Sequence, residues 1–381
     1  MIGAVREIKR KLKELAGTRG SGGRFLTVTL STSRLDDWRR TVPSFLNSEF
    51  NRVTRELGLG REAKRQLQRD LEFVQDIVSY DVTPKTQGLA VFVDGAGDVN
   101  ERIELPIRLI NRVVVEPYPH VRPVVHALAL LEPFAIAQVS RDESRLYLVD
   151  EWGVAQENEV TGPHLRSTDR ETGEMSIREY YAAARQDTLV ELHYKEVAGV
   201  LSKLLEQSDA SRVVLCAQHD IASAFRRSLP EALAGRIVAE IPFDAAASVG
   251  QMVATARAAL DKARKEEVAA LVSQIQEALG PGGRGVCGFD DIHGALGRHQ
   301  VQTLVVDRAY RPPGWRCVDC MWAGLAQTEC CPACGAEVVP LMDAVGELVR
   351  LALLQNSEIA VGEDIPLLTE LGGVAGVLRY G

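Results

Sequence analysis

The chain has 381 residues, of which 46% are hydrophobic and 25% are charged, and its formal net charge is -8. This composition is typical of globular proteins and excludes an intrinsically disordered chain, and the length predicts two or three domains. No apolar run reaches the length of a membrane span, and residues 1–16 are charged every few positions, unlike a secretory signal peptide. We therefore expect a cytoplasmic protein with no membrane partner.

The first predicted segment, residues 1–118, is a basic N-terminal α/β domain. Residues 1–15 carry apolar side chains at helical spacing, and a Gly-rich break follows at residues 17–23. Patterning then predicts a strand at 25–30, helices at 37–57 and 61–79, and strands at 89–93 and 102–106.

Positive charge is concentrated in this segment. Residues 1–70 contain sixteen Lys or Arg and eight Asp or Glu, whereas the remaining residues are acidic overall. This basic N-terminal segment, called the head below, could bind a polyanion. A solvated helix surface is the alternative explanation for its charge. The candidate RNA contacts on the first helix are Lys9, Arg10, Lys11 and Lys13. Three aromatic residues could pack on structured RNA, although we expect each of them to belong to the core: Trp38, Phe45 and Phe50.

The second predicted segment, residues 119–282, begins after the break at Tyr118-Pro119. Three short strands with tight turns form a meander, and a polar stretch at 161–188 follows it. Helices and buried strands then alternate to the end of the segment. The predicted strands are 134–139, 145–149, 153–160, 212–217 and 237–241, and the predicted helices are 189–207, 221–229 and 248–279.

The third predicted segment, residues 283–381, is a further α/β unit with a cysteine-rich insertion. Its predicted helices are 289–296 and 341–355, and its predicted strands are 301–306, 358–361 and 375–378. Residues 283–288 match the pattern GxGxxG, but they follow a helix and lack the strand-to-helix context of a dinucleotide-binding turn. We therefore interpret them as a hinge between domains.

Five of the seven cysteines lie between Cys317 and Cys334, which indicates metal binding in a reducing compartment and not a disulfide framework. Cys317 and Cys320 form one CxxC pair, and Cys331 and Cys334 form a second, ten residues later. Four thiolates complete a tetrahedral shell and leave no open position, so we predict a structural zinc ion in a ribbon at residues 315–337. The remaining member of the group, Cys330, lacks the spacing to Gly335 that Cys331 has.

No catalytic signature is recognisable in the sequence. The dipeptide Gly250-Gln251 invites comparison with a catalytic Gly-Gln pair. However, Ser248 with Gln251 three residues later has the spacing of a capping box at the start of a helix, and we predict that role.

The order of the segments and several local strings resemble the archaeo-eukaryotic class-1 release factors and Pelota, and specifically their bacterial relatives. The string Val301-Gln-Thr-Leu-Val-Val-Asp307-Arg-Ala-Tyr310-Arg-Pro-Pro-Gly314-Trp-Arg-Cys317 is similar to the one that leads the third domain of those factors into its zinc minidomain. Residues 344–355, 359–361 and 372–380 are also similar to that domain, and 134–149 and 212–217 to the middle domain. The resemblance implies three α/β domains, a middle one that is RNase H-like and a third with a zinc-ribbon insertion.

In one respect the sequence departs from the pattern of the family that it resembles. In true release factors, a Gly-Gly-Gln tip in the loop after the meander orients water at the ester bond of peptidyl-tRNA. Here that loop, residues 161–188, contains no Gly-Gly-Gln, and the head lacks the stop-codon-reading motifs. The resemblance therefore implies a ribosome-binding translation factor that occupies the A site without peptide release. Balon-type ribosome hibernation factors act in this way, contact rRNA and can be delivered by elongation factor Tu.

Two alternatives to this non-catalytic hibernation or rescue factor stay open. One is a peptidyl-tRNA hydrolase with a divergent loop, in which Gln186 or His164 positions water. The other is a zinc-ribbon interaction module with no ribosomal role. In a factor without catalytic residues, the charged residues of the loop, among them Arg166 and Arg170, would lie along RNA or a partner protein.

Overall fold

A computed structural model describes residues 4–20, 24–32, 38–80, 82–83, 85–94, 99–162, 177–244 and 246–380. These residues contain helices and four separate sheets, so the predicted α/β class is confirmed. The chain divides into two compact units, one formed mainly by residues 131–264 and the other by residues 5–130 together with 265–381. The three domains bounded at 118/119 and 282/283 stay a prediction.

From here on, the first segment means residues 5–130 of the larger unit, which are the predicted first segment together with helix α4. It forms an antiparallel four-stranded sheet in the order β3-β2-β1-β4. Its elements are α1 (Ala4–Gly17), β1 (Phe25–Ser31), α2 (Trp38–Glu56), α3 (Arg61–Tyr80), β2 (Gly88–Asp94), β3 (Val99–Leu105), β4 (Arg112–Glu116) and α4 (Arg122–Leu130). Helices α2 and α3 cover one face of the sheet and bury Trp38 and Phe50 in its core, with Phe45 packed against it. The aromatic residues therefore form the core, as predicted.

The unit of residues 131–264 contains a five-stranded sheet in the order β7-β6-β5-β8-β9. Its elements are β5 (Phe134–Val139), β6 (Glu143–Asp150), β7 (Gly153–Thr161), α5 (Ile177–Glu206), β8 (Arg212–Cys216), α6 (His219–Ser228), α7 (Glu231–Ala234), β9 (Ile237–Ile241) and the first half of α8 (Val249–Glu277). The meander strands are antiparallel, whereas β5, β8 and β9 are parallel. This is the predicted RNase H-like arrangement.

Helix α5 begins at Ile177, twelve residues before the start predicted at residue 189. The prediction was wrong because it relied on apolar periodicity, which is weak over residues 177–188. That stretch is nevertheless rich in residues of high helix propensity, such as Ala and Arg. The polar stretch between β7 and α5 is therefore shorter than the sequence pattern indicated.

The third segment has a four-stranded sheet in the order β10-β16-β11-β15 and a separate three-stranded sheet in the order β13-β12-β14. Its elements are β10 (Gly285–Cys287), α9 (Phe289–Gly297), β11 (Val301–Asp307), β12 (Gly314–Cys317), β13 (Ala323–Gly324), β14 (Val338–Leu341), α10 (Ala344–Leu354), β15 (Glu358–Gly362), α11 (Pro366–Glu370) and β16 (Val374–Leu378). No described helix is long and apolar enough to cross a membrane.

The Gly-rich segment predicted as a hinge is a packed part of one unit. Residues 285–287 pair with β16 as the edge strand β10, and the segment lies well inside the unit that begins at residue 265. A Cβ atom at Gly285 would lie 2.4 Å from the carbonyl oxygen of Ile275. Glycine is therefore required here by the close approach of β10 to the end of α8.

Within the larger unit, a buried ion pair joins the first and third segments. Arg122 is 1% exposed and Asp343 is fully buried. The Nη1 group of Arg122 donates to both carboxylate oxygens of Asp343, at 2.6 and 2.8 Å. Its Nη2 group donates to the carbonyl oxygens of Asp307 and Tyr310, at 2.7 and 2.9 Å. The carboxylate of Glu116 accepts from the backbone N–H of Asp343 at 3.3 Å, so each charge has several partners.

A second buried cluster continues from this pair toward the cysteine-rich insertion. The guanidinium groups of Arg316 and Arg350 both lie over the ring of Tyr118, at 4.3 and 4.0 Å from its centroid. Both guanidinium groups also reach the carboxylate of Glu347 in α10, at 3.2 and 2.7 Å. Because Arg316 belongs to β12 and Arg350 to α10, the cluster fixes the insertion against the body of the unit.

Removing Arg122 should destabilise the larger unit strongly, because it leaves the Asp343 carboxylate buried without its closest charge partner. We expect Arg122→Met to lower the free energy of unfolding by about 3–5 kcal/mol, measured by urea denaturation. The matched control is Arg52→Ala, which breaks exposed pairs with Glu49 and Glu56 and should cost less than about 1 kcal/mol. Equal losses for the two variants would show that the buried pair is not a structural anchor.

Candidate functional site

The cysteine-rich insertion brings four thiols together at one end of a small sheet. Cys317 ends β12, and Cys320 follows in the turn toward β13. Cys331 and Cys334 form the second pair in the loop before β14. The four sulfur atoms all lie within 4.8 Å of one another, with Cys317 to Cys334 at 3.4 Å and Cys320 to Cys331 at 3.5 Å.

These distances fit a tetrahedral thiolate metal centre. Metal–sulfur bonds of about 2.3 Å, as zinc forms, place the sulfur atoms of a regular tetrahedron about 3.8 Å apart. The two closest pairs are slightly shorter than that value and all four sulfur atoms lie within 4.8 Å of one another, so small shifts of the thiols would complete the shell. All four positions would be occupied by protein ligands, which leaves no place for a substrate. The site is therefore suited to a structural ion.

The thiols differ in how easily they ionise. Despite backbone hydrogen bonds from Trp322 and Ala336, burial and the neighbouring thiols raise the pKa of Cys320 and of Cys334. The N–H of Cys320 donates to the sulfur of Cys317 at 3.4 Å. Burial opposes ionisation of Cys317, but backbone hydrogen bonds from Cys320 and Asp319 outweigh it and lower the pKa of Cys317 to about 6. Gly335 has a φ of +77°, and its N–H donates to the carbonyl of Cys331 at 2.8 Å. A tight turn that favours glycine thus follows the last thiol of the cluster.

Cys330 is not a member of the cluster. It is exposed, lies beside the buried Cys331 and forms an isolated β-bridge with Glu337. The four clustered residues are Cys317, Cys320, Cys331 and Cys334. The geometry therefore groups Cys331, and not Cys330, with the other three thiols, and the role of these four residues as metal ligands stays a prediction.

The basic helix α1 has one buried and one exposed side. Leu12, Leu15 and Ala16 are buried, and Arg350 donates to the carbonyl oxygen of Ala16 at 2.9 Å, so the helix is anchored to α10. Apolar spacing correctly predicted the buried face.

The basic residues of α1 divide into two kinds. Lys11 pairs with Glu101 at 3.3 Å and Lys13 donates to Asn356 at 2.7 Å, so both help to hold the helix in place. The side chain of Arg10 is 66% exposed and, within the described residues, pairs with Glu14 of its own helix at 3.2 Å. Lys9 is also exposed. Lys9 and Arg10 thus place positive charge on the accessible side of α1.

Several residues named from the sequence lie outside the described part of the chain, namely Arg166, Arg170 and His164. Gln186 lies within helix α5. Gln251 does form a capping box: its side chain accepts from the N–H of Ser248 at 2.9 Å, and its own N–H donates to the Ser248 hydroxyl at 3.3 Å. The predicted structural role of Gln251 is therefore confirmed.

A buried serine–histidine pair lies beside the start of the segment between β7 and α5. The Ser144 hydroxyl and the Nε2 atom of His193 are 2.9 Å apart, and both residues are 1% exposed. Burial lowers the pKa of His193, against the effect of Glu196 and Asp142. A Cβ at Gly162 would lie 2.8 Å from Nδ1 of His193. The pair is too enclosed to act on a substrate, and it fixes the start of β6 against α5.

Comparison with known proteins finds a family model that matches part of the chain. Residues 119–268 match the sequence model of bacterial archaeo-eukaryotic release factor family 10. This segment contains the whole five-stranded sheet and the Ser144–His193 pair. No curated protein sequence matches the chain significantly.

Solved structures with similar folds include an archaeal translation termination factor, at 18% identity over 99% of this chain and 98% of that one, with a TM-score of 0.25. Archaeal Pelota in a ribosome-bound complex with ABCE1 is similar at 14% identity, over 98% of this chain and 94% of that one, with a TM-score of 0.41. Pelota of Archaeoglobus fulgidus is similar at 13% identity, over 77% and 79% of the two chains, with a TM-score of 0.36.

The thiol cluster should hold one metal ion per chain, and the intact protein should retain it through purification. Cys317→Ser and Cys334→Ser should release the ion and lower the melting temperature, because binding free energy of a structural ion is also folding free energy. Cys330→Ser is the matched control and should leave the metal content at one. Elemental analysis of the three variants measures their metal content. Loss of metal in the Cys330 variant alone would overturn the assignment of the four ligands.

Proposed function

We propose that this chain, a bacterial relative of the archaeo-eukaryotic release factors and Pelota through its middle segment, is a ribosome-binding translation factor that occupies the A site without releasing the nascent peptide. Its role would be hibernation or rescue of ribosomes, as in Balon-type hibernation factors. The proposal places it in the cytoplasm with the ribosome and its rRNA as partner. Elongation factor Tu is the GTPase proposed to deliver it.

One observation carries the proposal. The segment that matches the release-factor family has no Gly-Gly-Gln between β7 and α5, and none occurs elsewhere in the sequence. A Gly-Gly pair lets the backbone approach a reacting ester closely because neither residue has a Cβ. Water must also be held in attack geometry, and an error of about 1 Å can cost about a hundredfold in rate. A chain without this tip keeps the scaffold of the family and lacks its hydrolytic group.

The substitutes for the missing glutamine are poorly placed. Gln251 is held in a capping box, and Gln186 lies inside helix α5, so α5 would have to unwind before Gln186 could reach an ester at a loop tip. Residues 161–176 also include Arg166, Asp169, Arg170 and Glu171. Charged side chains carry a desolvation cost in a closed catalytic site. Contact with RNA or a partner protein suits them better.

Zinc is the metal we propose for the thiol cluster. Four cysteine ligands in two CxxC pairs are typical of structural zinc, and thiolates select zinc over the hard cations that prefer oxygen ligands. Held by Cys317, Cys320, Cys331 and Cys334, the ion would stiffen the insertion between β11 and α10. It would supply folding energy and no reaction chemistry.

Ribosome binding should depend on the exposed cations of α1. We expect Lys9→Gln with Arg10→Gln to weaken co-sedimentation with ribosomes and to reduce the slope of log affinity against log salt by about 1.4–1.8, since each lost phosphate contact contributes about 0.7–0.9. Lys11 and Lys13 stay unchanged because they hold the helix in place. The control is Arg236→Gln with Arg298→Gln, which removes two exposed arginines outside the head. Equal binding by both double variants would refute a role for α1.

Peptide release should be absent or far slower than with a release factor. The test adds a stoichiometric amount of the chain to ribosomes that carry labelled peptidyl-tRNA in the P site. We expect the peptide to stay esterified, and Gln186→Ala to behave like the natural sequence. Rapid release by the natural sequence that disappears in Gln186→Ala would instead establish the hydrolase.

A further inference from the structure

A crevice of about 410 Å³ in the larger unit combines strong positive charge with an apolar wall. It lies between the loop that joins β3 to β4, helix α4 and the turn after β11. Thirteen residues line it, among them four arginines and no carboxylate. The arginines are Arg108, Arg112, Arg308 and Arg311.

The backbone that carries these arginines is held firmly. The Thr29 hydroxyl donates to the carbonyl of Ile110 at 2.7 Å, which fixes the loop between Arg108 and Arg112. The N–H of Arg308 donates to the carbonyl of Gly362 at 2.8 Å. Arg122 donates to the carbonyl of Tyr310, immediately before Arg311, at 2.9 Å. A ligand would therefore meet groups that are already positioned, which reduces the ordering cost of binding.

The positive charge is only partly neutralised within the protein. Arg112 reaches Asp343 at 4.0 Å, but that carboxylate is already bound by Arg122 at 2.6 Å. Arg308 shares Glu363 with Lys265, at 3.0 and 2.8 Å. Repulsion among the arginines is a stability cost, and a bound anion would remove it.

Among the four arginines of the crevice, Arg311 has the positive charge that is least compensated by carboxylates. Across the described part of the chain, its guanidinium has no hydrogen-bond or ion-pair partner. Burial lowers the pKa of Arg311, and the nearby charges of Arg112 and Arg122 lower it further, against the attraction of Asp343. Its charge is thus both desolvated and repelled, although Asp343 partly compensates.

The surroundings restrict where an anion could bind. An adjoining crevice shares Ile110, Arg308 and Arg311 with the first, but it is also lined by Asp307, Glu363 and Asp364. These carboxylates would repel an anion from that side. Two large apolar side chains of the first crevice are unusually accessible, Ile110 at 57% and Leu130 at 38% exposure. An anion with an apolar or planar body fits this combination.

We infer that this crevice binds a nucleoside phosphate, with the phosphate against Arg308 and Arg311 and the base or sugar against Ile110 and Leu130. The guanidinium group is planar and donates to phosphate oxygens bidentately, and the volume is in the range of small-molecule pockets, about 300–1,000 Å³. The nucleotide could be free or part of a single-stranded RNA. This inference stands apart from the proposed ribosomal role, because the isolated protein suffices to test it.

Arg311→Gln is the informative variant. It should weaken binding of GMP, measured by calorimetry with the isolated protein, at least about tenfold, which corresponds to about 1.4 kcal/mol. Its melting temperature should stay the same or rise, because a repelled charge is removed. Arg298→Gln, an exposed arginine of the same unit, is the control and should change neither quantity. A fall in melting temperature without loss of binding would show that Arg311 is structural, and would overturn the inference.

Ile110→Ala separates a nucleotide site from a general anion site. It should weaken GMP binding and leave inorganic phosphate binding unchanged, because only the nucleoside uses the apolar wall. A fluorescent single-stranded RNA hexanucleotide distinguishes a free nucleotide from an RNA chain as the ligand of the crevice. If GMP displaces that RNA, the ligand is a free nucleotide. If the RNA binds and GMP does not displace it, the ligand is an RNA chain, provided that Arg311→Gln weakens the binding of the RNA. Inorganic phosphate that competes as well as GMP, or no binding of GMP or RNA at low salt, would contradict the inference.

Discussion

The larger unit depends on one buried ion pair, that of Arg122 with Asp343. The two residues are 221 positions apart in the chain, and the contact joins the first and third segments. Arg122 also binds the carbonyls of Asp307 and Tyr310, where the chain leaves β11 for the cysteine-rich insertion. Asp343 lies where the chain returns from the insertion to α10. A single guanidinium group therefore holds both ends of the insertion.

This arrangement separates two kinds of stabilisation. Inside the insertion, the four thiols hold the two loops together through a metal ion, in the way we propose. At its base, the Arg122–Asp343 pair and the cluster of Tyr118, Arg316 and Arg350 hold the insertion against the unit. Loss of the metal should thus loosen the tip and spare the base. The same turn after β11 also presents Arg308 and Arg311, so the proposed nucleotide crevice is positioned by the ion pair as well.

Local patterns predicted much of this structure. Apolar spacing located the buried face of α1, alternation located the meander of the middle sheet, and CxxC spacing identified all four clustered thiols. The capping box at Ser248 followed from two residues three positions apart. Each of these features is encoded within a short stretch of chain, and for that reason sequence alone could reveal it.

Features that depend on distant residues could not be predicted in this way. Helix α4 is nine residues long and mostly apolar, and its role becomes visible only when Arg122 meets Asp343. The crevice likewise combines arginines from β4, its preceding loop and the turn after β11. In the sequence they are separated by about 200 positions, and nothing local marks them as a group.

The middle unit connects the fold to the proposed function. This unit, residues 131–264, lies within the segment that matches the model of bacterial archaeo-eukaryotic release factor family 10, residues 119–268, and the sequence contains no Gly-Gly-Gln. Single-particle reconstruction of ribosomes with peptidyl-tRNA in the P site, mixed with the intact chain, tests this combination most directly. The proposed function predicts density for the chain in the A site and a nascent peptide still attached to the P-site tRNA. An A site without the chain, or a P-site tRNA without its peptide, would contradict it.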